Sequence, residues 1–211
     1  LIKNGAGEVR LSAANSYSGG TSVREGDLAV NHAQALGTGK LSLDGGNLLV
    51  YSAQEMNGSI AITGNLDWNS GNIAYFDTGT SPESEDLRMH VDGNLTNGGK
   101  GGNFDFSQVE ALDKGTYSLV NYTGSTNFSE ANFTASHGEG TTLLASFTLE
   151  DNVIKLIVSG AESSGDNIQN NGGANTPIVA DYKISKVGVI TINEVNIVKS
   201  LVFENSGTLE F

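Results

Sequence analysis

The densest grouping of chemically capable side chains is the acidic run at 77–86, DTGTSPESED, in which Asp77, Glu83, Glu85 and Asp86 flank Pro82. Hard cations take carboxylate oxygens, so calcium is the ion such a run would suit. A solvated charged loop protruding from the rest of the chain is the plainer reading, and no Gly-Gly-x-Gly-x-Asp calcium repeat accompanies it. His32, His90 and His137, and the three arginines Arg10, Arg24 and Arg88, stand apart from any acid cluster in sequence. A polysaccharide lyase needs a basic proton acceptor beside calcium-binding carboxylates, and a glycoside hydrolase needs a carboxylate pair. Neither grouping is contiguous here, although stacked turns of chain would bring distant residues together. His90 alternates between Met89 and Val91 and is expected on an outer face. No Gly-x-Ser-x-Gly, His-Glu-x-x-His or phosphate-loop motif occurs. The sequence therefore assigns no catalytic, cofactor-binding or metal-ligating residue, and no enzyme activity. Asn57, Asn94, Asn121, Asn127 and Asn132 each open an Asn-x-Ser/Thr triplet, as expected by frequency in a chain rich in these residues. Tyr17, Tyr51 and Tyr122 offer rings for stacking on sugars, against the alternative that they pack in the core or in turns.

Whatever these residues do, a small module must position them: glycine, any residue, apolar, any residue, apolar. It reads Gly7-Glu-Val9-Arg-Leu11, Gly26-Asp-Leu28-Ala-Val30, Gly39-Lys-Leu41-Ser-Leu43 and Gly46-Asn-Leu48-Leu-Val50. It recurs from Gly58, Gly64, Gly71, Gly102, Gly115, Gly188 and Gly207. Apolar residues at spacing two share one face of a strand, and the glycine supplies the corner before them. Gly7, Gly26, Gly46 and Gly64 step by 19, 20 and 18. The shorter steps fall near one third and two thirds of that, so the spacing predicts an all-β solenoid with three short strands per rung of about 19–22 residues. Rungs stacked ~4.8 Å apart would number about ten. An antiparallel meander is the rival, but it has no reason to repeat every third strand.

The 211 residues include 28 Gly and only 2 Pro, and 37% are hydrophobic, which suits a thin, long core fed by many short strands. Helical periodicity is nearly absent, Phe106–Lys114 being the sole candidate. A net charge of −13 argues against nucleic acid or an anionic membrane as partner. No membrane-spanning stretch or signal peptide is visible. Cysteine is absent, which suits export in an extended state.

Residues 1–160 read as one repeat unit, 161–176 as a polar linker or long loop, and 177–211 as the start of further rungs. Val9, Leu11, Val23, Leu28, Val30, Leu41, Leu43, Leu48, Val50, Ile60, Ile62, Leu66 and Ile73 should point inward, with Trp68 and Tyr75 as core plugs. Thr116–Tyr122 and Asn152–Ser159 look like the sheet that finishes a unit. Leu1 and Phe211 both fall inside the pattern, so the chain reads as a piece of something larger, with open rungs at both ends.

The segment from Gly5 to Leu28, with Asn15, Tyr17, Gly19 and Gly20 at fixed places, resembles the autotransporter-associated β-strand repeat, also called the passenger-associated transport repeat, of type V secreted proteins. Ala14 stands where that pattern usually has Gly. Ala35 to Gly46 continues the likeness, Lys114–Gly124 is similar to the segment closing many such units, and a looser likeness reaches Gly160. The resemblance implies a right-handed parallel β-helix at the bacterial cell surface. It implies export through a C-terminal outer-membrane barrel of the same full-length protein. It implies a stalk or scaffold role, and its pattern carries no catalytic residue. An adhesive module binding glycan or a partner protein through the rod surface or the 77–86 loop is the alternative. Self-association of rods end to end or edge to edge is a third.

Overall fold

The computed structural model describes residues 1–51, 59–76, 89–109, 112–138 and 141–163, together with four short strands between 182 and 210. The chain divides into two compact units, Leu1–Glu162 and Ser163–Phe211.

In the first unit the short apolar modules become strands. They run in order as β1 (Ile2–Lys3), β2 (Glu8–Leu11), β3 (Thr21–Val23), β4 (Asp27–Val30), β5 (Leu41–Asp44) and β6 (Asn47–Val50). Then come β7 (Ile60–Ile62), β8 (Leu66–Ser70), β9 (Asn72–Phe76), β10 (Met89–Val91), β11 (Leu95–Asn97) and β12 (Gly102–Gln108). The last are β13 (Gly115–Tyr122), β14 (Phe133–His137), β15 (Thr141–Glu150) and β16 (Val153–Ser163). They form three sheets, ordered β1-β3-β5-β8-β11, β2-β4-β6-β9-β12-β14 and β7-β10-β13-β16-β15. From β7 to β12 the chain visits the third, first and second sheets in that cyclic order. Among the described residues the pairings between strands β1 to β14 are parallel, for example Leu28 with Leu48 and Ile60 with Met89. The meander is thereby excluded.

The rung length differs from the sequence expectation. Val9 pairs with Leu28, 19 residues on, and Leu28 with Leu48, 20 on. Leu48 then pairs with Ile73, 25 on, and Ile73 with Phe104, 31 on. The first turns place strands only in the first and second sheets; the third sheet starts at β7, and its strand lengthens each later turn. Gly64 accordingly does not continue the line of Gly7, Gly26 and Gly46. Their successor is Gly71, whose absent Cβ would collide with the Gly46 carbonyl oxygen. The second sheet of this unit holds six strands. Phe106 lies in β12 and not in a helix. The single helical turn among the described residues is a 3₁₀ turn at Glu130–Asn132.

Residues aligned by these registers form the core. Leu28, Leu48, Ile73 and Phe104 are fully buried, as are Val23, Leu43 and Trp68 of the first sheet. Val9 is the correction: it heads the inward column yet is 42% exposed, because β2 is the edge strand of its sheet, paired among the described residues with β4 alone. Leu11 beside it is half-buried. Trp68 donates its indole N–H to the Gly71 carbonyl at 2.9 Å and meets Phe104 edge-on at 5.2 Å. Towards the other end the interior fills with rings, Phe128 stacking on Phe133 at 4.7 Å. There the topology changes. β16 pairs antiparallel with β13, bringing Thr116–Tyr122 against the 153–158 stretch. β15 and β16 are joined by Asp151 and Asn152, both at positive φ (51° and 59°), the backbone a tight hairpin turn requires. Phe147 of β15 packs on Phe104 and Phe133, at 5.7 and 5.4 Å.

In the second unit, β17 (Tyr182–Ile184) pairs parallel with β19 (Leu201–Phe203), and β18 (Val189–Thr191) with β20 (Thr208–Glu210). Both pairs keep a 19-residue register, Tyr182 opposite Leu201 and Val189 opposite Thr208.

The corners set a first test. Gly26 has φ +67°, and a Cβ there would collide with the Gly5 carbonyl and stand 2.7 Å from that of Gly7. Gly19 faces open space. Gly26→Ala should cost about 2 kcal/mol or more in urea denaturation, and Gly19→Ala no more than about 0.5 kcal/mol. Equal effects would mean the turns are not packed backbone to backbone.

A second test concerns the outer side of the first sheet. Lys40 donates to Asp67 at 2.7 Å and Thr96 donates at 2.9 Å. Burial pushes the Asp67 carboxyl up, but hydrogen bonds from Lys40, Thr96 and Ser42 and the Lys40 charge outweigh it and hold it below its ordinary range. The folded state thus binds this proton more weakly than the unfolded chain. Its contribution is complete above the unfolded value near pH 4 and is lost as pH falls through the lower folded one. Asp67→Asn should flatten stability against pH on the acid side of about pH 4. An unchanged acid limb would remove Asp67 from the account.

Candidate binding surface

Outward positions on the strands are mostly committed to the next turn. On the second sheet, Asn47 donates to Asp27 at 2.9 Å and accepts from the Asn72 backbone at 3.0 Å. Asn103 donates to Asn72 at 3.2 Å and accepts from the Thr134 hydroxyl at 2.9 Å. Near the corner before the first sheet, Asn65 accepts from the Asn94 N–H, and Asn94 from the Ser125 N–H. On the first sheet, Ser22 and Asn69 both donate to Asp44 at 2.8 Å. Side chains that would otherwise face solvent singly thus become ladders running along the stack.

The residues singled out by chemistry are dispersed. His32 accepts from the Gln34 N–H within a turn. His90 lies on the outer face of the third sheet as expected, half-buried, with Nδ1 2.7 Å from Asn121 Oδ1. His137 stands in register with Phe106, and neither of its ring nitrogens has a hydrogen-bond partner among the described residues. No group of three acidic or histidine side chains able to hold a metal occurs among the described residues. The 77–86 run, Arg88 and Asn57 lie outside the described residues. Of the other Asn-x-Ser/Thr asparagines, Asn94 and Asn121 bond as above. Asn127 accepts from the Asn97 N–H at 2.6 Å and donates to its carbonyl at 3.1 Å. Asn132 accepts from the Ser129 N–H at 2.7 Å.

The tyrosines part ways. Tyr122 is buried in the core. Tyr17 lies 2.9 Å from the Thr21 hydroxyl, and its carbonyl accepts from Thr38 N–H at 2.9 Å. Asn15 donates to the Ala35 carbonyl at 2.8 Å. Asn15 and Tyr17 therefore fasten one long corner to the corner a turn later. Tyr51 alone belongs to an outer-surface cluster. It stacks on Phe76 at 4.7 Å, and the Arg10 guanidinium lies 4.5 Å from its ring centroid and donates to its hydroxyl at 2.7 Å. Beneath them Ala29, Leu49 and Ala74 form a small apolar patch of their own on the outside of the second sheet. Glu8 pairs with Arg10 at 3.1 Å. A planar aromatic with a cation beside it is the arrangement that receives sugars or other flat groups. Here Phe76 and Arg10 already occupy the ring.

Lys3 was not legible as special. It is buried in the inward column of the first sheet, opposite Val23, and its ammonium donates to the Gly5 and Glu25 carbonyls at 2.6 and 2.8 Å. Its stem lines the core while its head satisfies corner carbonyls.

Known proteins share parts of this arrangement. Residues 1–30 match the passenger-associated-transport-repeat family. A stretch of 81 residues, 36% of the chain, is 38% identical to a protein named Adhesin BmaC autotransporter from Brucella suis biovar 1 (strain 1330), and covers 2% of that protein's length. The chain thus spans a small fraction of this relative. No solved structure matches the chain. Asn15 and Tyr17, which fasten one corner to the next, lie within the segment 1–30 that is similar to the passenger-associated transport repeat.

Proposed function

We propose that the chain is a non-enzymatic structural segment of an exported bacterial surface protein: a stiff parallel β-helix that spaces or displays other domains. The observation carrying this is the use of the outer side chains. Asn47, Asn65, Asn94, Asn103 and Asp44 bond to the neighbouring turn and do not converge on a pocket. The coil is right-handed in this proposal, since parallel strands joined by a crossover take that hand almost always. Its partner in the full-length protein is a C-terminal outer-membrane barrel through which the passenger is exported, and its location is the outer surface of the cell. The net charge of −13 keeps nucleic acids and anionic membranes away. The domain limits 1–160, 161–176 and 177–211 belong to the same proposal.

An adhesive role is the second reading, favoured by the Arg10–Tyr51–Phe76 cluster and by the similarity to a Brucella protein named an adhesin. The segments 52–58 and 77–88 follow directly on Tyr51 and Phe76, so a ligand held by the acidic run would lie close in sequence to this cluster.

Two measurements decide between them. Pulled from its ends, a stack whose turns contact only their neighbours should yield in several steps. Each step should release one turn of chain, about 6–11 nm at ~3.5 Å per residue. A single all-or-none rupture would contradict the spacer reading. On a glycan array the full chain should bind nothing. Saturable binding abolished by deleting 77–86 would establish the adhesive reading instead.

A further inference from the structure

The closing hairpin has one strand edge that no other strand covers among the described residues. β15 (Thr141–Glu150) is the last strand of the third sheet and is paired with β16 alone. The Leu149 N–H donates to Glu130 Oε1 at 3.1 Å, so it points away from β16. Backbone groups alternate sides along a strand. The N–H and C=O of Thr141, Leu143, Ala145 and Phe147 therefore point the same way. The two-residue turn at Asp151 and Asn152 gives the same parity, because the residues flanking such a turn, Glu150 and Val153, form a bonded pair. Leu144, Ala145 and Ser146 are exposed in succession. Leu144, at 44%, is the one large apolar side chain so exposed among the described residues beyond Leu1, Ile2 and Val9.

Edge strands are ordinarily guarded by lysine, proline, a bulge or a covering segment. Thr141–Leu149 reads TTLLASFTL, without charge, proline or glycine. Its guard among the described residues is Glu130, which acts at Leu149. The adjoining charge is matched, since Glu150 lies 3.8 Å from Lys155. Two copies of a chain of net charge −13 meet with least repulsion along such an uncharged strand. The open stretch is also self-complementary. An antiparallel pair about a two-fold axis at Leu144 sets Leu143 opposite Ala145 of the second copy and Thr141 opposite its Phe147. Leu144 then meets Leu144 at a non-hydrogen-bonded site, where side chains approach most closely. Leu149 falls beyond the start of the other copy's strand, so the Glu130 guard stands just outside the stretch that pairing uses.

We propose that the free edge of β15 is a self-association edge whose occupant is β15 of a second copy, paired antiparallel about Leu144. A spacer and an adhesin would present this edge alike. In sedimentation the full chain should pass from monomer to dimer as its concentration rises about a hundredfold. Amide exchange at Leu143 and Ala145 should slow by about tenfold or more over that range. Leu149, held by Glu130, and Ser146, facing β16, serve as internal references. Leu144→Lys and Leu144→Glu should each stay monomeric alone, because like charges would oppose across the axis, and should associate when mixed. Unchanged exchange at Ile154 and Leu156 checks that both variants fold. Dimerisation of either variant alone as readily as the parent would overturn the proposal, as would a parent that stays monomeric throughout. A mixture that fails to associate would overturn pairing about Leu144. Slow exchange at Leu143 and Ala145 at the lowest concentration would overturn it too, since the edge would then be covered within its own chain.

Discussion

The constraint on which everything else hangs is the main-chain ladder between a residue and its counterpart one turn later. Backbone N–H and C=O groups cannot be buried unpaired without a cost of one to several kcal/mol. In this chain their partners lie 19 to 31 residues away, in the next turn. Register is therefore inherited: once Leu28 faces Leu48, Ala29 must face Leu49 and Val30 must face Val50. A slip by one residue would turn Leu28 and Val30 outward together. The corner glycines follow from the same ladder. Strands about 4.8 Å apart bring the corners that join them equally close, and at Gly46 a Cβ would stand 2.7 Å from the Gly26 carbonyl oxygen. Glycine there is required by the neighbouring turn and not by its own φ.

Side chains extend this logic inward and outward. Inside, like residues stack into columns whose filling changes along the chain. Aliphatic side chains serve at Leu28 and Leu48, and rings take over from Trp68 to Phe104, Phe128 and Phe133. Longer turns enclose more cross-section, and aromatic side chains bring the volume that keeps an interior close-packed. Outside, asparagine does what glycine does at the corners. Its amide spans one turn spacing, donating and accepting along the stack, so a polar face adds to cohesion between turns. At the far end the parallel rule is broken by the β15–β16 hairpin, whose Phe147 packs against the interior aromatics. A hairpin can do this because its antiparallel partner strand satisfies its own backbone and needs no further turn beyond it.

Strand positions and the inward set were legible because period two and period one-turn reinforce each other at Leu28, Leu41, Leu48 and Leu66, all fully buried. Turn length was less legible. A glycine before an apolar pair marks a corner without saying which corner, so Gly64 passed for the successor of Gly46 when it belongs beside Lys40 at the entry to the first sheet. Val9 has every mark of a core residue, and its exposure depends on a neighbour that no local pattern encodes. Lys3 carries no mark in the sequence: lysine is ordinarily solvent-exposed, and the carbonyls of Gly5 and Glu25 offset its burial here. At the surface, the Asn-x-Ser/Thr triplets read as no more than the frequency such a composition yields. Asn94 and Asn127 prove to be rungs of polar ladders, which a sequence cannot show because their partners sit about thirty residues away.

A scaffold of this kind separates stability from function in a specific way. Ladders, corners and columns fix one residue in two along each strand and nearly every corner glycine, leaving little of the regular surface free to evolve a binding site. The bonded asparagines illustrate this: altering one to suit a ligand would unpair its partner in the next turn. Variation is instead tolerated where chain leaves the coil between one strand and the next, since loop length weighs only logarithmically on stability. Tyr51 and Phe76 stack on each other across adjacent turns on the outside of the second sheet. Arg10 lies against that pair, and Ala29, Leu49 and Ala74 lie beneath it, so the cluster ties neighbouring turns together. Its rings are thus better understood as bracing between turns than as a receptor surface, because each already has its partner.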